Sequence, residues 1–329
     1  MSGVRHLQKF AGHALGLRTS GEYGKVAMND TYGEEATIST TVKRPAARLF
    51  LGLIVLLLVG YGIRSIMLPA QSAAVFVTYA EGSSRQPAPA SPLFQNGQLE
   101  FAGFEPIQLA GQNLGAWDEV VIVNFDRAAD YQEFVTKIAA EDSVARYHLM
   151  KIAPKAPELL YFTNWRLRSF RNGESIDPGE RVPIEDVVPD TAYIKQWRNL
   201  FDGAYRDGIV MLNLLLHEED PQDPTGGPDS GASSEELYGR YSQKATRVLG
   251  KLGGQILGLG AVDRVVVGPQ IRNYDVYAFV FYPSVDVFEI MFTARERVEA
   301  QIYQRAGLNA DGSAGYWVKP YPEFTPVAK

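Results

Sequence analysis

Two stretches of this chain, VVIVNFD at Val120–Asp126 and IVMLNLL at Ile209–Leu215, share an apolar strand pattern with one amide in the same place, Asn124 on Asn213. Each runs into a helix: ADYQEFVTKIAAEDSVARY follows the first and SSEELYGRYSQKATRVLGKLGG the second, with Tyr131 and Phe134 corresponding to Tyr238 and Tyr241. LLYFTNW, Leu159–Trp165, then takes the place of VYAFVFY, Val276–Tyr282, as a further strand. A later helix completes each half, TAYIKQWRNLFDGAY in the first and SVDVFEIMFTARERVEAQIYQRAGL in the second, where GYWVKPY adds a closing strand. Strand, helix, strand, strand, helix, strand is the ferredoxin-like order. The pattern predicts an α+β chain of tandem ferredoxin-like repeats, a first, diverged half over 117–205 and a second over 206–329.

The second repeat carries the stronger local signals. Ser233 and Glu236 stand at capping-box spacing. Leu237, Tyr241, Ala245, Val248 and Leu252 form one apolar face, and Gly253-Gly254 supplies a left-handed stop.

Upstream, AARLFLGLIVLLLVGYGIRSIML at Ala46–Leu68 is apolar enough to be one transmembrane helix if Arg48 and Arg64 snorkel to the interfaces. Lys43, Arg44 and Arg48 outweigh Arg64 across it, so the positive-inside bias puts the N-terminus in the cytoplasm. The expected location is a bacterial-type inner (cytoplasmic) membrane, crossed once, with the C-terminal domain periplasmic. Residues 1–45 read as a flexible cytoplasmic tail, and 69–116 as spacer and lead-in, because EGSSRQPAPASP, Glu81–Pro92, has little to bury. Folded structure is expected to start near Leu93.

MLNLL on the strand, Tyr238 and Tyr241 on the helix, LGKLGGQIL at its end, VVVGP and YPSVDVFEIM together resemble a family of unknown function, domain of unknown function 1330. The resemblance is best over Gly208–Phe324 and faint over Trp117–Tyr205. It implies the dimeric α+β barrel superfamily, in which two ferredoxin-like units pair their sheets around a shared cavity. The extra half in this chain implies a barrel that closes within one chain. The resemblance implies architecture more than chemistry, although the superfamily includes cofactor-independent oxygenases and isomerases acting on small apolar compounds.

A strand alternates sides, so Val210, Leu212, Leu214 and Leu216 share one face while Met211, Asn213, Leu215 and His217 share the other. If the aliphatic face packs on helices, Asn213 and His217 point into the barrel. The same parity sends Val121, Val123 and Phe125 to the helices and Asn124 and Asp126 inward, so two polar rows would face each other. Tyr238, Tyr241, Tyr274, Tyr277 and Tyr282 are dense enough to line a pocket, with Tyr238, Tyr241 and Tyr277 the cavity-lining candidates, although aromatics at such spacings are more often core or subunit-interface anchors. No catalytic residue can be assigned from these positions.

Several classes are excluded or disfavoured. The chain of 329 residues has no cysteine, which removes disulfide and thiolate chemistry, and its net charge of −6 argues against nucleic acid. A metal site at His217, Glu218, Glu219 and Asp220 lacks a second histidine other than His148, so no metal is expected. No cofactor is expected, since no complete nucleotide-binding, zinc-protease or hydrolase motif occurs. The reading is a membrane-anchored binding or assembly module. It would pair with itself or with membrane-complex subunits and have room for a small apolar ligand; the alternative is a cofactor-independent oxygenase or isomerase.

Overall fold

The computed structural model describes residues 69–83, 86–111, 114–170, 179–187, 208–225, 231–268 and 274–326. The tail 1–45, the span 46–68 and the expected helix TAYIKQWRNLFDGAY lie outside them. Among the described residues no helix is long and apolar enough to cross a membrane.

Eight strands form one closed barrel: β1 (Gln71–Tyr79), β2 (Gln98–Gly111), β3 (Glu119–Phe125), β4 (Val144–Pro154), β5 (Ile209–Leu215), β6 (Gln255–Val267), β7 (Val276–Tyr282) and β8 (Ala314–Pro320). The order round the barrel is β1-β3-β2-β8-β5-β7-β6-β4, and every neighbouring pair is antiparallel. The helices are α1 (Ala128–Ala140), α2 (Pro157–Ser169), the short α3 (Ile184–Val187), α4 (Ser234–Lys251), α5 (Val285–Thr293) and α6 (Arg295–Gly307).

The second half is a complete ferredoxin-like unit, β5-α4-β6-β7-α5-α6-β8, with strand order β8-β5-β7-β6. Its capping box is formed: Glu236 N–H donates to Ser233 Oγ at 3.2 Å and Ser233 N–H to Glu236 Oε2 at 3.1 Å. Gly253 ends the helix at φ 78°, where a Cβ would be strained. The single late helix is broken at Ala294, whose extended backbone separates α5 from α6.

The first half has the same strand order, β2-β3-β1-β4, built from a permuted chain. β3, α1 and β4 match β5, α4 and β6, but β1 and β2, which fill the places of β7 and β8, come before β3 in sequence. Two expectations are corrected here. LLYFTNW is not a strand but the middle of α2, which Pro157 opens at a position where its missing N–H costs nothing. Residues 69–116 are not spacer: β1 is a central strand pairing with both β3 and β4, and Ala73–Val77 are fully buried.

EGSSRQPAPASP therefore belongs to the connection between β1 and β2, where the second half places α5 and α6. It does bury surface: Ala88 and Phe94 are sealed in, with Phe94 packed on Phe134 of α1 at 5.9 Å. Glu119, at the start of β3 and completely buried, pins this connection. Its carboxylate accepts from Tyr79 Oη at 2.5 Å, from the Ala88 N–H at 3.2 Å and from Tyr321 Oη.

Three apolar layers result. Inside the barrel, all eight strands contribute, among them Phe76, Phe101, Ile122, Met150, Leu212 and Phe279. Outside, one layer packs under α1 in the first half and another under α4, α5 and α6 in the second. The seams β2·β8 and β4·β6 join the halves, so no sheet edge is left open.

Replacing Glu119 by Leu is expected to lower stability by about 3–5 kcal/mol, because the buried Ala88 N–H and two part-buried tyrosine hydroxyls lose their shared acceptor. Urea unfolding of wild type and variant measures this, and a loss under about 1 kcal/mol would show that the β1–β2 connection is held by other means.

Candidate functional site

The sheet has two sides, and the sequence-predicted residues divide between them. On β5, Val210, Leu212 and Leu214 belong to the barrel interior, whereas Ile209 and Met211 pack with the outer layer under α4, α5 and α6. The inward assignment of Asn213 is thus overturned: the aliphatic face fills the barrel, and Asn213 lies on the helix side, between Ala278 and Gly315 of the neighbouring strands. On β3 the expected parity holds, with Val121, Val123 and Phe125 under α1 and Ile122 inside. Asn124 and Asn213 therefore occupy equivalent strands but opposite faces, and the two polar rows do not face each other. Asp126 follows β3 and is exposed.

Asn124 and Tyr277 do come to one place. Near the end of the barrel where β1 begins and β3 finishes, a cavity of about 150 Å³ is lined by Glu100, Phe101, Ile122, Leu257, Gly258, Tyr277, Phe279 and Phe324. Asn124 sits at its edge as a polar hub: its Nδ2 donates to Glu100 Oε2 at 3.0 Å and its Oδ1 accepts from Ser72 Oγ at 2.7 Å. Glu100 is the residue that sequence reasoning missed. It occupies an irregularity where the β2–β3 register slips between Leu99 and Phe101, which breaks the alternation that would have flagged it.

Burial raises the Glu100 carboxyl above its ordinary value, opposed by the hydrogen bond from Asn124. Burial also raises the Tyr277 phenol, with the nearby Glu100 charge adding to it. The Tyr277 hydroxyl is buried without a hydrogen-bond partner among the described residues. A carboxyl biased towards its neutral form and a spare phenol thus share an apolar cavity, able to meet one polar group on a small ligand or to exchange a proton with it.

Buried side chains line the rest of the described interior. His148, fully buried, lies beside Phe76 at 6.0 Å and Trp117 at 6.3 Å, and neither ring nitrogen has a hydrogen-bond partner among the described residues. Burial depresses it to about 4, so it is neutral at physiological pH. It is no metal partner for His217, which lies after β5 with Nδ1 3.6 Å from Asp275 Oδ2. No cluster of metal-ligating side chains occurs among the described residues.

On the helix side, His217, Tyr238 and Tyr241 form a chain of rings, His217 to Tyr238 at 6.3 Å and Tyr238 to Tyr241 at 5.7 Å. These residues sit under and along α4, on the other side of the sheet from the 150 Å³ cavity.

No family model matches the chain, and no curated protein matches it. Among solved structures, a protein of unknown function from Rhodopseudomonas palustris is similar at 25% identity over 43% of this chain and 98% of that one, with a TM-score of 0.35. A proposed monooxygenase from Lactobacillus acidophilus is similar at 9% identity over 76% of this chain and 93% of that one, TM-score 0.35. An anthrone oxidase-like protein is similar at 11% identity over 79% and 96%, TM-score 0.34. At these scores the likenesses bear on neither activity nor ligand.

The His148 imidazole makes stability sensitive to acid. Its folded-state value lies below the unfolded one, so its contribution is complete above about 6.5 and is lost as pH falls towards 4. Between pH 7 and 5 wild type is expected to lose on the order of 2 kcal/mol more than His148→Leu, measured by urea unfolding at each pH. Parallel curves for the two proteins would show that His148 is hydrated.

Proposed function

We propose that this protein is a membrane-anchored extracytoplasmic binding or assembly module, held by residues 46–68 and working through contacts with another copy or with membrane-complex subunits. The observation that carries the reading is the outer face of α2. Leu159, Tyr161, Phe162 and Trp165 are 48%, 66%, 56% and 63% exposed, and Arg166 and Arg168 lie beside them. Isolated surface apolar residues are ordinary, but several aromatic side chains grouped on one helix have the composition of an interface centre. Its inner face is committed elsewhere: Leu167 is buried, and Asn164 exchanges two hydrogen bonds with the Ile256 backbone, at 2.8 and 2.9 Å.

A barrel interior filled by side chains further supports a module over an enzyme with a large substrate chamber. The 150 Å³ cavity is below the few hundred cubic ångströms usual for a drug-sized ligand. It suits a small, mainly apolar molecule with one polar group.

The second reading, a cofactor-independent enzyme, is favoured by Glu100 and Tyr277. There the carboxylate would act as the base in moving a proton within a small apolar substrate, and the Tyr277 phenol would hold the oxygen where charge develops. Oxygenase chemistry has no residue of its own in this cavity beyond the same base.

Purification of the full chain in mild detergent followed by native mass spectrometry tests the reading. The expected result is a homo-oligomer or a complex with membrane subunits that Tyr161→Ser and Trp165→Ser together dissociate. A monomer with no protein partner, carrying a small molecule that Glu100→Gln releases, would move the assignment to the cavity.

A further inference from the structure

The wall of the 150 Å³ cavity combines one carboxylate, one phenol and a run of aromatic rings. Oε2 of the Glu100 carboxylate accepts from Asn124 Nδ2 at 3.0 Å, and Oε1 has no hydrogen-bond partner among the described residues. No lysine, arginine or histidine among them pairs with Glu100. The protein thus gives this carboxylate an amide but no counter-charge, a costly arrangement away from bulk water.

Tyr277 adds a second polar group. It is 1% exposed and lines the same cavity, and its hydroxyl has no hydrogen-bond partner among the described residues. Burial raises the phenol and the Glu100 charge raises it further, which places the two polar groups close together. The rings are continuous. Phe101 lies 5.0 Å from Phe279 and 6.2 Å from Phe324, and Phe279 lies 5.9 Å from Tyr277. Glu100, Leu257 and Phe324 are partly exposed and mark the mouth, whereas Phe101, Tyr277 and Phe279 are buried.

This wall narrows the ligand by elimination. An anion would be repelled by Glu100, and a hydrocarbon would leave both polar groups unpaired. A neutral alcohol could bond to the carboxylate but brings no counter-charge. A divalent cation needs several oxygen ligands, and one carboxylate among aromatic rings does not provide them. An ammonium supplies what is missing: N–H donors for the Glu100 carboxylate and the Tyr277 oxygen, and a positive charge that aromatic rings attract. The volume holds about six heavy atoms, since an apolar cavity of this size takes benzene. We propose that this cavity binds a small protonated amine with a short apolar body. Its ammonium sits on the Glu100 carboxylate and the Tyr277 hydroxyl, and its body lies against the rings of Phe101, Phe279 and Phe324. The inference rests on the cavity being the small-ligand site described above, and it stands whether or not α2 is an assembly surface.

The competing account is that water at the mouth solvates Glu100 and the cavity does not discriminate by charge. Isothermal titration calorimetry of the full chain in mild detergent separates the two, with isobutylammonium, isobutanol and isobutyrate as probes of similar shape and different charge. Isobutylammonium is expected to bind saturably at one site per chain, about tenfold or more tighter than isobutanol, with isobutyrate weakest. Glu100→Gln, which keeps the shape and an acceptor for Asn124, should bring the amine down to the level of the alcohol. Gly258→Ala tests the location. Its added methyl would stand 3.5 Å from Phe279 and 3.7 Å from Tyr277, an ordinary contact that fills part of the space, and should weaken amine and alcohol alike severalfold. Equal binding of amine and alcohol by wild type, or an amine preference that survives Glu100→Gln, would overturn the proposal and leave the cavity as a site for neutral ligands. Saturable binding of none of the three probes would overturn the cavity reading with it. Amine binding unchanged in Gly258→Ala would place the amine elsewhere and overturn the proposal, and this variant decides the matter if Glu100→Gln does not fold.

Discussion

The insertion of β1 between β3 and β4 is the constraint on which the rest of the structure depends. Without it the first sheet would separate into the β2-β3 pair and β4 alone, and the barrel could not close through β2·β8 on one side and β4·β6 on the other. Closure removes every edge, the state that keeps a sheet of this size from pairing with strangers. It also explains the first half's chain order. With β1 and β2 supplied from upstream, β3, α1 and β4 complete the unit, and the chain leaves as α2 to pack on α4. Buried Glu119 completes the arrangement by gathering donors from β1, from the connection after it and from the end of the chain.

The second half was legible because its signals are local. A capping box, a Gly-Gly stop and the run VYAFVFY each mark an element without reference to the rest of the molecule. The first half was misread where local signals conflict. LLYFTNW is apolar and aromatic, which fits a strand or a helix, and only Pro157 ahead of it favours the helix. The strand QSAAVFVTY follows the apolar segment 46–68 almost without a break, so its own alternation is submerged in the longer run.

Parity on β5 failed for a different reason. Ile209, Val210, Leu212 and Leu214 are all fully buried because the strand has the barrel core on one side and helices on the other. A strand buried on both faces does not announce which face is which. Asn213 still marks a real difference: it is on the helix side of β5, whereas the inward residues of that strand, Val210, Leu212 and Leu214, are all hydrocarbon. Of the predicted lining residues, Asn124 and Tyr277 meet around the Glu100 cavity, and Asn213, His217, Tyr238 and Tyr241 lie with the helix layer. Glu100 was invisible, since the register slip between Leu99 and Phe101 breaks the alternation that would have flagged it.

Closure within a single chain is the central claim, and the absence of cysteine makes it directly measurable. Lys151 on β4 and Arg264 on β6 are paired across one seam between the halves. Cysteines introduced at both positions and oxidised at low protein concentration should give a fast-migrating monomer on a non-reducing gel, with neither single variant cross-linking. A covalent dimer formed by the double variant, with no intrachain product, would show that the two sheets belong to different chains and would contradict the one-chain barrel.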